Sequence, residues 1–199
     1  MRSRVPAALL SVVIAAGAGG CTSDDDPAAD GSPEGTTTTA TTDDGASDTP
    51  TDAPAVEPAS GEEAVVGVTL SLRIPAEGDW SVDDSGGSLV ANALIDDVGV
   101  TISGSDVLYD ETSIDDAART VLRTENMGGT DKYRRVENRI VAGVDGWVLE
   151  GKDANGRLSQ FGTIHKGRIV RIYFVLRTGI TKAKGDALIS SVLASVEWK

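Results

Sequence analysis

Residues 156–177, GRLSQFGTIHKGRIVRIYFVLR, decide the fold of this chain. They contain two runs rich in Ile, Val, Phe and Tyr, which favour strands, separated by the turn dipeptide Lys166-Gly167. A two-residue turn at this dipeptide sets Phe161 opposite Ile172 and Thr163 opposite Val170. One face of the hairpin then carries Phe161, Thr163, Val170, Ile172, Phe174 and Leu176. We predict that this face lies in the core of an antiparallel sheet.

The opposite face of the same hairpin is also partly apolar. It carries Leu158, Ile164, Ile169 and Val175 beside Gln160, Arg171, Tyr173 and Arg177. An open, water-facing strand surface would hold fewer large apolar side chains. We therefore expect another element to cover part of this face.

Five further segments have the alternation or the β-branched composition of strands: residues 68–74, 89–95, 98–108, 135–142 and 146–152. In the first, Val68, Leu70, Leu72 and Ile74 are expected to face the core, and Pro75 ends the strand. Asp96-Asp97 divides the second segment from the third, and Asn155-Gly156 is a strong two-residue turn signal before the 157–165 strand. Successive antiparallel hairpins are predicted.

Two helices complete the prediction. The first has an apolar stripe at helical spacing, Thr112 or Ser113 as its N-cap, acidic residues in its first turn and Gly128-Gly129 as its end. That stripe consists of Ile114, Ala117, Ala118, Val121 and Leu122. The second helix is expected within residues 181–196. The predicted class is α+β, an antiparallel sheet with helices on both faces.

The first 20 residues have the pattern of an export signal. Arg2 and Arg4 precede an apolar run over residues 5–16, and the small residues 18–20 lead into Cys21, the only cysteine. This arrangement resembles the bacterial lipobox, which implies a signal peptide over residues 1–20 and lipidation of Cys21. Stable anchoring then follows from attached acyl chains such as palmitate.

Two alternatives compete with lipidation. A transmembrane anchor needs about 20 apolar residues, and the run at 5–16 is too short. An ordinary secretory signal would leave Cys21 as a stray thiol, which lipidation explains. The expected location is the outer face of the cell membrane, with the protein held there by Cys21.

Residues 21–63 are expected to form a disordered acidic tether rich in Thr and Pro. Within residues 22–63 there are 12 acidic residues, five prolines and no Lys or Arg. Such a composition cannot bury enough apolar surface to fold. It is predicted as a solvated linker, and an O-glycosylated stalk is the alternative.

Residues 64–199 are expected to form one globular domain. The whole chain has a net charge of −13, but this range carries 16 basic and 19 acidic residues, so the acidity belongs mainly to the tether. The sequence has no basic stripe interleaved with aromatic residues, and a nucleic-acid partner is therefore not expected. Its length suits a single domain.

Short motifs add a family resemblance. They are Ile74-Pro75 followed by Trp80, Gly143 followed by Gly146-Trp147, and the closing residues 195–198, SVEW. Together with the order of elements over residues 68–199, they resemble the PsbP-like α/β/α sandwich, and with the lipidated Thr-rich N-terminus they resemble actinobacterial lipoproteins of the LpqN type. The resemblance implies a mostly non-catalytic accessory, scaffolding or protein-binding role, and it supplies no catalytic residue.

The residues available for chemistry agree with that expectation. The only histidine is His165 and the only cysteine is Cys21, which excludes a cysteine nucleophile and a Cys or multi-His zinc site in the domain. His165 could act as a general base, but a solvent-exposed turn histidine is the favoured interpretation. The acidic pairs are assigned to turns and caps: Asp83-Asp84, Asp96-Asp97, Asp110-Glu111 and Asp115-Asp116. No catalytic residue, metal or cofactor is predicted.

The aromatic and basic residues of the sheet leave one candidate surface. Trp147 and Trp198 are expected to fill the core or its rim rather than to form stacking platforms. The row Arg171, Tyr173 and Arg177 is the possible partner surface, and a solvated strand face is its alternative. We expect a non-enzymatic binding or scaffolding domain with an envelope protein as its partner. The alternative is a carrier for a lipid or another apolar ligand, which requires a large apolar cavity.

Overall fold

The computed structural model describes residues 56–110, 113–127 and 132–199. All of these lie in one compact unit, Pro50–Lys199. The predicted signal peptide, Cys21 and the tether up to residue 55 lie outside the described residues.

The described residues form ten strands, one 3-10 turn and two helices. In chain order these are β1 (Glu63–Val66), β2 (Leu70–Arg73), β3 (Ser81–Asp83), the 3-10 turn (Ser85–Gly87), β4 (Ser88–Ile95), β5 (Val98–Leu108), α1 (Ile114–Glu125), β6 (Tyr133–Val141), β7 (Val144–Asp153), β8 (Gly156–His165), β9 (Arg168–Arg177), α2 (Lys182–Ala194) and β10 (Glu197–Trp198). A seven-stranded sheet has the order β3-β4-β5-β9-β8-β7-β6, and a three-stranded sheet has the order β1-β2-β10. All pairings are antiparallel.

The central hairpin β8–β9 has the predicted register. Phe161 lies opposite Ile172 and Thr163 opposite Val170, and every side chain of the predicted core face is buried. The turn uses Lys166 at φ 49° and Gly167 at φ 70°, the left-handed pair that joins two twisted antiparallel strands. The hairpin prediction is confirmed.

The neighbouring turn between β7 and β8 differs from the prediction by one residue. Asp153 pairs with Gly156, so Ala154-Asn155 forms the turn in place of Asn155-Gly156. Gly156 is instead a strand residue, and a Cβ there would lie 2.1 Å from the Leu176 carbonyl oxygen. The requirement for glycine therefore comes from this close backbone approach and not from the turn.

Helix α1 covers one face of the large sheet, as the apolar residues on that side of β8–β9 predict. The Ser113 hydroxyl accepts a hydrogen bond from the Asp116 N–H and caps the helix. The helix buries Ala117, Ala118 and Val121 against Trp147, Leu149 and Ile169. Trp147 is fully buried, which confirms its predicted core position.

Helix α2 and the small sheet cover the other face. Thr181 caps α2 by accepting a hydrogen bond from the Lys184 N–H. Leu188, Val192 and Leu193 join the main core with strand residues of both sheets. The α+β class with a helix on each face of an antiparallel sheet is therefore observed, with the small sheet as an addition.

The first predicted strand is shorter and more buried than its alternation suggests. Val68 is 71% exposed because it lies in the turn between β1 and β2, whereas Thr69 and Ser71 are buried. Strand β2 is central in the small sheet and is covered on both sides, so its polar residues do not face water. The prediction that Val68 faces the core is wrong.

The packed domain begins before residue 64. Ala59 is buried, and its N–H donates to the Ser191 carbonyl at 2.9 Å. The Gly61 N–H donates to the Ile74 carbonyl, and β1 begins at Glu63. The described part of the segment assigned to the tether, residues 56–63, therefore lies on the domain.

Neither helix of the described residues combines the length and the apolar character needed to cross a membrane.

Candidate functional site

A groove runs between α2 and the strands β6, β7 and β8. Near the start of α2 it holds a cavity of about 450 Å³, and an adjoining cavity of about 370 Å³ continues along the helix. The two cavities share Glu150, Ser159, Lys182, Asp186 and Ile189. We call this continuous feature the α2 groove. Its size falls in the range of small-ligand and peptide sites.

The end of the α2 groove near the start of the helix is cationic. Its lining includes five basic side chains and two acidic ones: Lys132, Arg134, Lys152, Arg157 and Lys182 against Glu150 and Asp186. The domain as a whole carries a slight excess of acidic residues. Positive charge is therefore concentrated at this end of the groove.

Three of these cations lie side by side across three adjacent strands. Lys152 pairs with Arg157 on β8, and its N–H donates to the Lys132 carbonyl just before β6. Like charges on directly opposite strand residues destabilise a sheet. The row Lys132, Lys152 and Arg157, which we call the cation row, therefore places like charges side by side, and of the three only Arg157 has an ion-pair partner among the described residues, Asp186.

The start of α2 adds to the same positive potential. Its first turn has no acidic residue and contains Lys182 and Lys184, although the positive end of the helix dipole favours acidic side chains there. Lys184 pairs with Glu77 and Asp96, both at 2.8 Å, away from the groove. Lys182 faces the groove.

Asp186 partly offsets the cations. Its carboxylate contacts Arg157 Nη2 at 2.8 Å and Lys182 Nζ at 2.5 Å. Burial raises the pKa of Asp186, but the hydrogen bond from Lys182 and the charge of Arg157 outweigh it, so the pKa lies below its ordinary value. One carboxylate thus serves two cations, and an excess of positive charge remains.

The other end of the α2 groove is mixed in character. Val148 and Phe161 of the sheet and Ile189 and Leu193 of α2 line it, together with polar residues of β6. The groove therefore combines a cationic end with a mixed end that includes these four apolar side chains.

Strand β6 forms an open rim beside the α2 groove. It is an edge strand whose neighbour in the sheet is β7, and a register shift between Val136 and Arg139 interrupts the pairing. Basic residues and such bulges protect edge strands from unwanted pairing. Ile140, just after the bulge, is 70% exposed.

The predicted row Arg171, Tyr173 and Arg177 does not form one open surface. Arg171 Nη1 lies 3.4 Å from Glu125 Oε1, and the Tyr173 hydroxyl donates to the same oxygen at 3.1 Å. Burial, more than the charge of Glu125, raises the pKa of the half-buried Tyr173. These contacts fix the end of α1 to the sheet, and Arg177 is the exposed member of the row.

His165 is half-buried rather than solvent-exposed as expected. Its ring centroid lies 4.9 Å from that of Trp198, with the planes tilted by 37°. The Trp198 Nε1–H donates to the Val141 carbonyl at 2.9 Å, which places this tryptophan at the core rim. His165 is therefore a packing partner of Trp198.

Some of the acidic pairs within the described residues have turn or cap roles, whereas Asp84 accepts a hydrogen bond from the Val65 N–H of β1 and Asp115 pairs with Arg135 of β6. Asp96 and Asp97 have positive φ in the β4–β5 turn, and Asp83 accepts a hydrogen bond from the Ser85 N–H. Glu111 lies outside the described residues. Within the described ranges, no three His, Cys, Asp or Glu side chains come together as a metal site would need.

Sequence reasoning missed the cation row. The signal was present, because a turn at Ala154-Asn155 sets Lys152 opposite Arg157, whereas a turn at Asn155-Gly156 sets it opposite Ser159. The position of α2 over that face had no local signal.

No protein-family model and no curated protein matches this sequence. Among solved structures, a protein from Bacteroides thetaiotaomicron VPI-5482 is similar at 16% identity and a TM-score of 0.41 over 68% of this chain. The match covers 49% of that protein, so the chain spans about half its length. The cyanobacterial PsbP protein CyanoP from Synechocystis sp. PCC 6803 is similar at 16% identity and a TM-score of 0.41, over 65% of this chain and 86% of CyanoP.

The antiparallel α+β architecture is established by this chain's own strands and helices. The relation to actinobacterial lipoproteins of the LpqN type stays a prediction.

Proposed function

We propose that this protein is a lipid-anchored, non-enzymatic cell-envelope protein whose domain binds a protein partner in the α2 groove. The cation row is the observation that carries the proposal. Its like charges on neighbouring strands oppose folding, and an anionic partner that binds there relieves the repulsion.

The chemistry of the α2 groove suggests the kind of partner segment. An extended acidic segment can place carboxylates at the cationic end and an apolar side chain against Ile189 and Leu193 at the other end. The groove would therefore select such a segment by its charge at one end and by the fit of its apolar side chain at the other.

The anchor follows from the first 21 residues. The export signal and the lipobox-like stretch before Cys21 support a diacylglyceryl-modified cysteine on the outer face of the membrane. The segment between Cys21 and residue 56 then sets the distance between the membrane and the domain.

A binding role without catalysis is supported by how the polar groups of the domain are used. His165 packs on Trp198, and the buried Asp106 is held by Arg168 and Thr69. Asp186 is engaged by two cations. Each of these groups is therefore engaged in packing or in an ion pair.

Site-specific photocrosslinking in intact cells tests the proposal. A photoreactive residue at Glu150, inside the α2 groove, should capture a discrete envelope protein. The same photoreactive residue placed at Arg119, on the exposed side of α1, is the matched control and should capture no envelope protein. Adding Lys132→Glu and Lys152→Glu should remove the Glu150 adduct, and an adduct that persists unchanged would exclude the groove as the binding site.

A carrier of an apolar ligand is the second candidate. The apolar side chains of Val148, Phe161 and Leu193, which line part of the adjoining cavity, favour it. Native mass spectrometry of the membrane-extracted protein separates the two functions. A bound lipid that disappears in an Ile189→Glu variant would support the carrier, whereas a ligand-free protein that still crosslinks would support the partner.

A further inference from the structure

We infer that the chain's own acidic segment, residues 22–55, docks reversibly into the cationic end of the α2 groove. This goes beyond the proposed partner, because it needs only the groove and the residues that precede Val56. The occupant is thus a named part of the same chain, which competes with any external acidic partner.

The charges of the two parts are complementary. Residues 22–55 contain nine acidic residues and no Lys or Arg. The cationic end of the groove has five basic and two acidic side chains in its lining. Opposite charge concentrated on two parts of one molecule favours their association, most strongly at low salt.

The acidic segment joins the domain beside the groove. Residues 56–60 lie along α2, where the Ala59 N–H donates to the Ser191 carbonyl at 2.9 Å. Asp186 and Ser190 line cavities on both flanks of the helix, one containing residues 56–60 and the other belonging to the α2 groove. The entry point of the chain and the groove are therefore separated by the width of a single helix.

The chain is long enough to cross that width. A helix with its side chains is about 10–12 Å wide. An extended chain spans about 3.3–3.6 Å per residue, so about four residues suffice. Asp52 and Asp48 lie four and eight residues before Val56, and Asp43-Asp44 come next. The cation row extends beyond the helix over two further strand spacings of about 4.8 Å each, so Asp48 and Asp43-Asp44 have the length to reach it, whereas Asp52 reaches only its near end at Arg157. The remaining residues stay available to span the distance to Cys21.

Covalent linkage makes even weak contacts effective. A short flexible connection gives an effective concentration in about the mM range. Exposed charge pairs contribute only about 0–1 kcal/mol each, so the docked state exchanges with the free state. An external partner that binds the groove more tightly can then displace the acidic segment.

Paramagnetic relaxation measured by NMR tests this docking directly. The protein used is the chain from residue 22, which retains the whole acidic segment and lacks Cys21, with a nitroxide attached through Thr42→Cys. At about 20 mM NaCl, where screening extends over about 20 Å, the amide signals of Lys132, Lys152 and Ser159 should fall to less than about half of their diamagnetic intensity. At about 500 mM NaCl they should recover.

Two charge-matched variants provide the controls. Lys132→Gln with Lys152→Gln should restore the groove signals at low salt, whereas Arg119→Gln with Arg123→Gln on α1 should leave the broadening unchanged. Full intensity of the groove amide signals at low salt would overturn the inference, and so would equal broadening of the amide signals around Arg119 and Lys152. The readout involves no external partner, so failure of the photocrosslinking experiment and failure of this one are distinguishable.

Discussion

Asp106 Oδ1 lies 2.6 Å from Arg168 Nη2, and the Asp106 side chain is only 2% exposed. The same carboxylate accepts hydrogen bonds from the Thr69 hydroxyl and the Val68 N–H in the turn between β1 and β2. One buried acidic residue of the large sheet thus holds the turn of the small sheet. Gly67 is required beside it, because a Cβ there would lie 2.2 Å from the Asp106 carboxyl carbon.

Replacing this carboxylate should destabilise the domain. Removing one partner of a fully buried ion pair costs about 3–5 kcal/mol, and because Arg168 is partly exposed we expect about 2 kcal/mol for Asp106→Asn. Urea unfolding measures the change. Glu150→Gln removes the exposed pair with Arg134 and should cost less than about 1 kcal/mol. Equal losses in the two variants would contradict a special role for Asp106.

The same carboxylate should make stability depend on acid pH. Burial raises the pKa of Asp106, but the hydrogen bonds from Arg168, Thr69 and Val68 outweigh it and hold the pKa below its ordinary value. A lowered pKa contributes stability above the unfolded value of about 3.9, and this is lost as the pH falls through the folded pKa. The free energy of unfolding should therefore drop below about pH 4, and less steeply in Asp106→Asn than in the unsubstituted protein.

Gly162 should not tolerate alanine. A Cβ at Gly162 would lie 2.3 Å from Trp147 Cζ2, and the fully buried indole has no room to move. We expect Gly162→Ala to lose about 1–3 kcal/mol in thermal or urea unfolding. Gly99→Ala is the control, because its Cβ would meet the flexible stem of the exposed Arg177 at 3.2 Å, and it should change stability by less than about 0.5 kcal/mol.

The N-cap of α1 should contribute measurably to stability. The Ser113 hydroxyl accepts the Asp116 N–H, so Ser113→Ala should lose about 1 kcal/mol in urea unfolding. Ser113→Asp keeps an acceptor at the same position and should retain most of that stability. A similar loss in both variants would show that the hydroxyl is not acting as a cap.

The lipid anchor should be visible in the mass of the protein. Protein extracted from membranes of its native cells should carry an added diacylglyceryl mass on Cys21, and Cys21→Ser should shift the protein from the membrane fraction to the medium. Unmodified Cys21 in membrane-extracted protein would contradict the anchor.

Most of the large sheet could be predicted because its strands pair with their sequence neighbours; the exception is β5, which pairs with β9. Lys166-Gly167 and Asp96-Asp97 each join two strands through a short turn, so local period and turn chemistry define the hairpins. The small sheet could not be predicted in this way. Its central strand pairs Leu70 with both Val66 and Trp198, and β10 has only two residues.

The candidate site was less predictable than the fold. Arg171 and Tyr173 were expected on an open face, but α1 ends above them and Glu125 binds both. The α2 groove depends on how α2 lies against β6–β8, and no local pattern encodes that placement. The cation row could be derived from the β7–β8 register once the turn is placed at Ala154-Asn155.

The pairing of β2 with β10 also constrains the order of assembly. Strand β2 lies between β1 and a strand more than 120 residues later, and the Lys199 N–H donates to the Thr69 carbonyl. Contacts between distant parts of a chain form slowly, because a long loop must close first. During synthesis, strand β2 therefore keeps an unpaired edge until residues 197–199 have been added.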